Sequence, residues 1–401
     1  MFDMETFKSN APIIPYVEHY YKNQIPIIRK TKDCVFCKCI FHKENTPSLV
    51  FFKNNNRYKC FGCGVNGDII DLVQYIENVN WEEACIMIGQ NTNQNITFTP
   101  PNPHHEKYKD LMNSYASRYI NNLNKNAEAL DYLINKRELS PKTINDFRLG
   151  LTDIEEYKYR NDMGSISDKI TFPIIEHTYN PKCLGFAYRS YKDNNKPKYI
   201  NDKNQDGSDS QDPNLNGVFI KGNLLYGYYS ARKPSREKRY VILVEGYFDV
   251  LSLYESGIKN VVGCMGTSVT DTQLEELKKL SNSVLLMLDM DKPGRNRVLD
   301  LIPKMLEKGF NIAISNYDFK DPDELARMYR NDTARLEDYL ISHTIQCIDY
   351  IIDIITEDYI NVMSLERMKV INKANKYIDC FERDLDKAYF NKLLFDKIGL
   401  S

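Results

Sequence analysis

The stretch "YVILVEGYFDVL", residues 240–251, decides the fold. Four consecutive apolar residues are too few for a buried helix and suit a strand covered on both faces. The run ends in Glu245, and the residues after it are spaced as a helix. Working outward, "NVVGCM" (260–265), "SVLLMLD" (283–289) and "NIAISN" (311–316) are runs of the same kind. Helical stretches at 247–256, 270–280 and 295–308 lie between them, and Thr270 with Gln273 forms a capping box for the second. Strand alternating with helix predicts a parallel sheet flanked by helices.

Ligands of such a sheet gather beyond the carboxyl ends of its strands. Glu245 ends the first strand, and Asp249 follows one helical turn later. Asp289 and Asp291 end the third, where "KPG" bends the chain, and Asp321 and Asp323 in "KDPDE" follow the fourth. Carboxylates crowded at one edge repel one another unless cations hold them. Hard oxygen donors of this type suit Mg²⁺ or Mn²⁺.

The rest of the chain has a different texture. A length of 401 residues allows two or three domains, and 42% hydrophobic with 27% charged residues excludes a disordered chain. The start lacks a signal pattern and no apolar run approaches a membrane span, so a cytoplasmic protein with no membrane partner is expected. Charge is unevenly spread: 104–239 carries 23 basic and 18 acidic residues, 240–401 carries 20 and 27. A basic middle beside an acidic end suits a polyanion path next to a cation site. Residues 108–149 read as helices, with Ser140-Pro141 opening one of them. From 168 to 228 "KITFPII", "CLGFAYRSY", "GVFIK" and "LLYGYY" read as strands. "RKPSREKR" (232–239) reads as a solvated loop, and 336–398 as helices. The Asn- and Pro-rich "NTNQNITFTPPNPHH" (91–105) reads as a linker.

Five of the ten cysteines fall between Cys34 and Cys63, which indicates metal binding in a reducing compartment. Cys60-x2-Cys63 supplies half of a tetrahedral site, with Gly62 and Gly64 permitting a tight knuckle. The other half is either Cys34-x2-Cys37 or Cys39-x2-His42, and spacing does not choose between them. A structural zinc explains the cluster better than free thiols, since small ribbons seldom fold without metal.

Two groups of residues resemble a known family. "CIFHKENTPS" (39–48) with "YKCFGCGVNGDIIDLV" (58–73) resembles the CHC2 zinc ribbon of bacterial DnaG-like DNA primases. "VEGYFDVLSL" (244–253), "GTSVT" (266–270) and "LDMDKPGRN" (288–296) resemble their TOPRIM domain. Between them "ITFPI", "LGFAYRS", "KPKYIN" and "VFIKGNLLYG" are similar to the first part of the primase core. Ile40, Met290 and Pro293 depart from the usual Pro, Gly and Ala, while every carboxylate is kept.

The resemblance implies an α/β multidomain chain. Its parts are a CHC2-type zinc-binding domain (1–90), a linker (91–107), a basic mixed α+β subdomain (108–238), a TOPRIM domain (239–335) and a C-terminal helical subdomain (336–401). It implies one structural zinc on Cys39, His42, Cys60 and Cys63, with Cys34 and Cys37 surplus. It implies two or more catalytic Mg²⁺ or Mn²⁺ ions on Glu245, Asp289, Asp291 and Asp249. Arg189, Lys198, Tyr199, Asn201 and Lys221 fall where similar proteins face the nucleotide or the nucleic-acid strand. Tyr58 and Phe61 are expected to stack on template bases if exposed.

The expected function is synthesis of short RNA primers on single-stranded DNA for replication, by two-metal nucleotidyl transfer from NTPs. A TOPRIM topoisomerase or nuclease, or a non-catalytic single-strand-binding protein, is the alternative. A replicative helicase is carried as a further partner, although residues 336–401 leave little room for the usual helicase-binding domain.

Overall fold

The computed structural model describes residues 4–77, 79, 81–94, 102–153, 167–177, 181–192, 198–203, 215, 217–266, 268–289, 291–357 and 364–399. Residues 95–101 of the expected linker lie outside them, as do Lys196, Pro197, Thr267 and Met290 of the quoted stretches. Two units form: Met1–Asn102 with Thr178–Pro181, and Pro103–His177 with Lys182–Ser401.

The first unit opens with α1 (Met4–Ser9) and α2 (Ile13–Tyr20). Then come β1 (Ile27–Lys30), β2 (Cys34–Cys37), β3 (Leu49–Phe52), β4 (Arg57–Cys60) and β5 (Asn66–Asp68). Each strand pairs antiparallel with the next, giving a meander in chain order. Helices α3 (Ile69–Glu77) and α4 (Trp81–Asn91) close the unit. The core is apolar and centred on Leu49, Phe51, Tyr58, Ile69, Leu72 and Ile88. Tyr58 is 3% exposed, so it builds the ribbon core and cannot stack on bases.

The second unit begins with the long α5 (Pro103–Asn124) and α6 (Ala127–Asp131), which runs into a π-helical turn at Tyr132–Lys136. At α7 (Pro141–Asp146) the Ser140 hydroxyl accepts from Thr143 N, the cap its sequence predicts. An antiparallel sheet follows from β6 (Gly150–Leu151), β7 (Ile170–Ile175), β8 (Cys183–Arg189) and β9 (Tyr199–Asn201).

The expected strands at 217–221 and 224–229 are not strands. Val218 and Phe219 are buried, but the chain turns through a 3₁₀ turn at Lys221–Asn223 and makes only a bridge between Tyr226 and Gly263. "RKPSREKR" is a helix rather than a loop, forming most of α8 (Tyr228–Lys238). Ala231 and Ser235, one turn apart, bury one face and leave the charges on the other.

The large sheet follows the predicted alternation: β10 (Val241–Val244), α9 (Tyr247–Glu255), β11 (Val261–Gly263), α10 (Asp271–Leu280), β12 (Ser283–Leu286), α11 (Lys292–Glu307), β13 (Asn311–Ser315) and α12 (Pro322–Met328). The order is β11-β10-β12-β13, all parallel. All four β10 residues are fully buried, worth about 1.5–3 kcal/mol per large apolar side chain. The capping box at α10 is made in both directions, Thr270 Oγ1 accepting from Gln273 N and Gln273 Oε1 from Thr270 N.

The tail is not wholly helical. After α13 (Thr333–Ser342), β14 (Thr344–Gln346) adds to β13 antiparallel and closes that edge of the sheet. Helices α14 (Cys347–Thr356), α15 (Ser364–Ile378) and α16 (Asp384–Ile398) then pack into the same core as β12 and β13.

Candidate metal centres

In the first unit, Cys39 and His42 lie on the β2–β3 connection, and Cys60 and Cys63 on the knuckle after β4. Their ligand atoms lie within 4.8 Å of one another. The Cys39 and Cys63 sulfurs are 3.8 Å apart. Two sulfurs at the ~2.3 Å of a zinc–sulfur bond, set at a tetrahedral angle, are about 3.8 Å apart. His42 Nδ1 lies 3.8 Å from Cys60 Sγ. Three thiols and an imidazole at these separations fit one tetrahedral zinc. The knuckle closes on glycine: a Cβ at Gly62 would fall 2.8 Å from both His42 Nε2 and Ser48 Oγ.

Cys34 and Cys37 do not converge on this point. They sit three residues apart in the extended β2, so their side chains leave on opposite faces. Cys37 is fully buried in the ribbon core, where burial pushes its thiol up to about 11.

The sequence reading missed Glu44 and Ser48, although both lie in the quoted "HKENTPS". Glu44 Oε1 accepts from Cys39 N (2.6 Å) and Ser48 N (3.0 Å). Its Oε2 takes the Ser48 hydroxyl and lies 3.3 Å from His42 Nε2. One carboxylate thus orients the imidazole, so that Nδ1 faces the sulfurs, and also fixes the backbone of Cys39. Burial works to raise the Glu44 carboxyl, but the Ser48 and Cys39 donors and His42 outweigh it and hold it low. Cys60 is likewise held low against burial, by Ser48 Oγ, Cys63 N and the neighbouring thiols. Burial raises Cys39 and Cys63, so Cys60 is the first of the three to ionise.

In the second unit, β10 and β12 are neighbours with Leu243 opposite Leu286, which brings Glu245 beside Asp289. Asp289 N donates to Glu245 Oε1 at 3.3 Å. Asp291 caps α11, its Oδ1 accepting from Gly294 N at 2.7 Å. A Cβ at Gly294 would lie 1.9 Å from Asp289 O, so the loop between the two aspartates closes only over glycine. Asp249, at the third position of α9, accepts from Gly246 N at 2.8 Å.

The crowding predicted for this edge is visible in the carboxyl groups themselves. Burial pushes Asp249 up to about 7; the Gly246 N–H opposes this, and Asp289, Asp321 and Asp323 add to it. Burial and then the charges of Glu245, Asp321 and Asp291 push Asp289 up to about 6, against Arg297. Their oxygens do not close on one point as the thiols do: among the described residues, only the Cys/His group converges within 4.8 Å. Glu245 is held instead by Arg297, 2.6 Å away.

Asp321 caps α12 and faces the edge, but Asp323 does not join it. Asp323 pairs with Arg137 at 2.7 Å and accepts from Ser252 at 2.5 Å, tying α12 to α9.

Basic and polar groups surround the same edge. In the β8–β9 register Arg189 lies opposite Tyr199, and Arg189 Nη1 donates to the Tyr199 hydroxyl at 2.7 Å. Arg189 and Arg137 both lie over the Phe248 ring, at 4.7 and 3.7 Å from its centre. Burial lowers the Lys198 pKa, and the charges of Arg189, Arg137 and Lys320 lower it further. Arg137 was not foreseen, because nothing in a helical stretch marks one arginine.

Three of the five expected nucleotide-side residues are engaged internally. Tyr199 packs against Phe172 and Tyr247 and supports Arg189. Asn201 Oδ1 accepts from the Tyr247 hydroxyl at 2.6 Å. Lys221 Nζ donates to Met265 O at 3.1 Å.

Comparison with known proteins finds relatives of both units. Residues 3–103 match the CHC2 zinc finger family and 242–326 the Toprim-like family. The chain is therefore a zinc-ribbon protein with a Toprim sheet. It is 28% identical to the DNA primase of Aquifex aeolicus over 355 residues, 83% of this chain and 68% of that one. It is 30% identical to that of Clostridium acetobutylicum over 397 residues, 90% of this chain and 63% of that one. The chain thus spans about two thirds of the length of these relatives. The fold is similar to the zinc-binding and RNA polymerase domains of the Aquifex aeolicus primase, with a TM-score of 0.59, 24% identity and coverage of 100% and 98% of the two chains. It is also similar to a DnaG primase catalytic domain bound to ssDNA (TM-score 0.61, 22% identity, 74% and 98% covered). Over most of its length the chain is thus similar to bacterial DNA primases. Among the described residues no helix is long and apolar enough to cross a membrane.

Proposed function

We propose that the chain is a DNA-directed RNA polymerase that makes short RNA primers from NTPs on a single-stranded DNA template, in the cytoplasm. The observation that carries this is the juxtaposition at the carboxyl edge of the parallel sheet. There Glu245, Asp289, Asp291 and Asp249 gather, Arg189 and Arg137 lie over the ring of Phe248, the residue before Asp249, and Lys198 feels the charge of Asp321. The raised Asp249 and Asp289 carboxyls mark crowded negative charge that divalent cations would offset, and planar guanidiniums suit a triphosphate. Two Mg²⁺ or Mn²⁺ ions held by these carboxylates would supply charge neutralisation at the α-phosphate and pyrophosphate and activate the primer 3′-hydroxyl.

The protein's own groups position the reactants. Tyr199 and Phe248 hold Arg189, and Asp291 with Gly294 fixes the loop that presents Asp289. No nucleophilic side chain is required, because the hydroxyl of the growing primer attacks. Cys39, His42, Cys60 and Cys63 hold one structural zinc, with Glu44 orienting His42. On the same ribbon Phe61 is 65% exposed with Lys59 5.5 Å from its ring, a stacking face with a cation beside it. The zinc domain presents template to the core through the segment 92–102 between α4 and α5, shorter than the expected linker because residues 103–107 are already helical.

The test is dinucleotide synthesis on a single-stranded template. Asp289→Ala is expected to abolish it with zinc content unchanged; retained synthesis would overturn the assignment of the edge.

A further inference from the structure

Glu245 is central to the proposed cation site, yet one of its oxygens is already engaged. Oε1 accepts from Arg297 Nη2 at 2.6 Å and from Asp289 N at 3.3 Å. The pair is well enclosed, the Glu245 and Arg297 side chains being 15% and 25% exposed. Arg297 comes from the first turns of α11, the helix that Asp291 caps, so the pair bridges the ends of β10 and β12. Its Nε–H is buried with no acceptor among the described residues. The guanidinium is therefore held by one strong charge-assisted bond, and its buried Nε–H is unmet.

The geometry points to Arg297 as the internal counter-cation of Glu245, which a divalent ion must displace to bind there. This rests on the cation site proposed above. A guanidinium and a metal ion cannot share one lone pair at 2.6 Å, and in an enclosed site their like charges repel strongly. The carboxylate edge is thus neutralised in part before any metal arrives, which keeps Glu245 ordered among Asp289, Asp291 and Asp249. Metal binding at Glu245 is an exchange of cations. It leaves free a planar guanidinium of the kind that binds phosphate oxygens. The exchange raises the metal concentration needed to load the site without nucleotide.

The experiment is a Mn²⁺ titration of the zinc-loaded full chain, followed by electron paramagnetic resonance without nucleotide or DNA. Arg297→Gln is expected to bind Mn²⁺ about tenfold more tightly, the gain matching loss of one charge-assisted contact of about 1.4 kcal/mol. Arg297→Lys keeps the charge and is expected to stay within about twofold of the unaltered chain. Zinc content and circular dichroism identify any variant that fails to fold, and Arg297→Lys then decides by itself: Mn²⁺ binding tightened as much as a lost charge predicts overturns the inference. Equal or weaker Mn²⁺ binding by a folded Arg297→Gln also overturns it. A Glu245→Gln control separates the two readings. If that change leaves Mn²⁺ binding untouched, the cation site itself is wrong.

Discussion

Replacing Glu44 tests whether the zinc centre depends on a residue that binds no metal. Its carboxylate accepts from two backbone N–H groups and the Ser48 hydroxyl, and faces His42 Nε2 at 3.3 Å. Partners of this kind typically contribute 10- to 100-fold in metal affinity, or about 1.4–2.8 kcal/mol. Glu44→Gln keeps an acceptor oxygen but loses the charge that supports the imidazole, so about tenfold weaker zinc binding is expected. Glu44→Ala also leaves the N–H groups of Cys39 and Ser48 unpaired in a site only 10% exposed. That places it near the hundredfold end. The assay is zinc transfer to a chromophoric chelator of known affinity at fixed pH. Cys34→Ser, whose sulfur leaves the ribbon away from the cluster, serves as the control with unchanged affinity. Zinc affinity of Glu44→Ala within twofold of the unaltered chain would refute the reasoning.

Two further outcomes concern the sheet edge. Gly294→Ala places a methyl 1.9 Å from Asp289 O. The loop must shift, costing about 1–3 kcal/mol of stability in urea titrations and removing primer synthesis, with zinc content unchanged; a variant with full stability and activity contradicts the loop assignment. The raised Asp249 and Asp289 carboxyls, at about 7 and about 6, give the metal-free fold more bound protons than the unfolded chain from about pH 4 upward. These groups favour folding at the acid end, and that contribution is lost as pH rises through 6 and 7. Mg²⁺ competes with the same protons, so the rise in Tm on adding it is expected to be larger at pH 8 than at pH 5.5. Equal rises at both would rule out these carboxyls as the cation's holders.

What could be read from the sequence follows the strength of each local signal. The runs 241–244 and 283–286 are apolar throughout because both faces of their strands are covered, so the position of Glu245 and Asp289 beyond their ends was legible. Residues 344–346, Thr-Ile-Gln, carry no such signal, since an edge strand half exposed to water needs no apolar run. The helix at 228–238 was hidden by its charges and by Pro234, and is set by Ala231 and Ser235 packing inward. Tyr58 and Phe61 are three residues apart in a strand-and-knuckle segment, and one faces the core while the other faces water. Spacing alone could not choose between the two cysteine pairs, whereas the extended geometry of β2 does so at once. Glu44 and Arg297 act through partners distant in the chain or in an irregular loop, where no period marks them.

The antiparallel β14 has a consequence for how the chain matures. Until residues 344–346 emerge from the ribosome, β13 presents a row of unpaired N–H and C=O groups along the open side of the sheet. Such an edge invites pairing with another nascent chain. A Toprim segment cut at Met328 would keep that edge permanently, and also lose the apolar cover that Ile348, Ile351 and Ile352 of α14 give the core. The segment that looks self-sufficient as a family match is, as a folding unit, finished only by the residues that come after it.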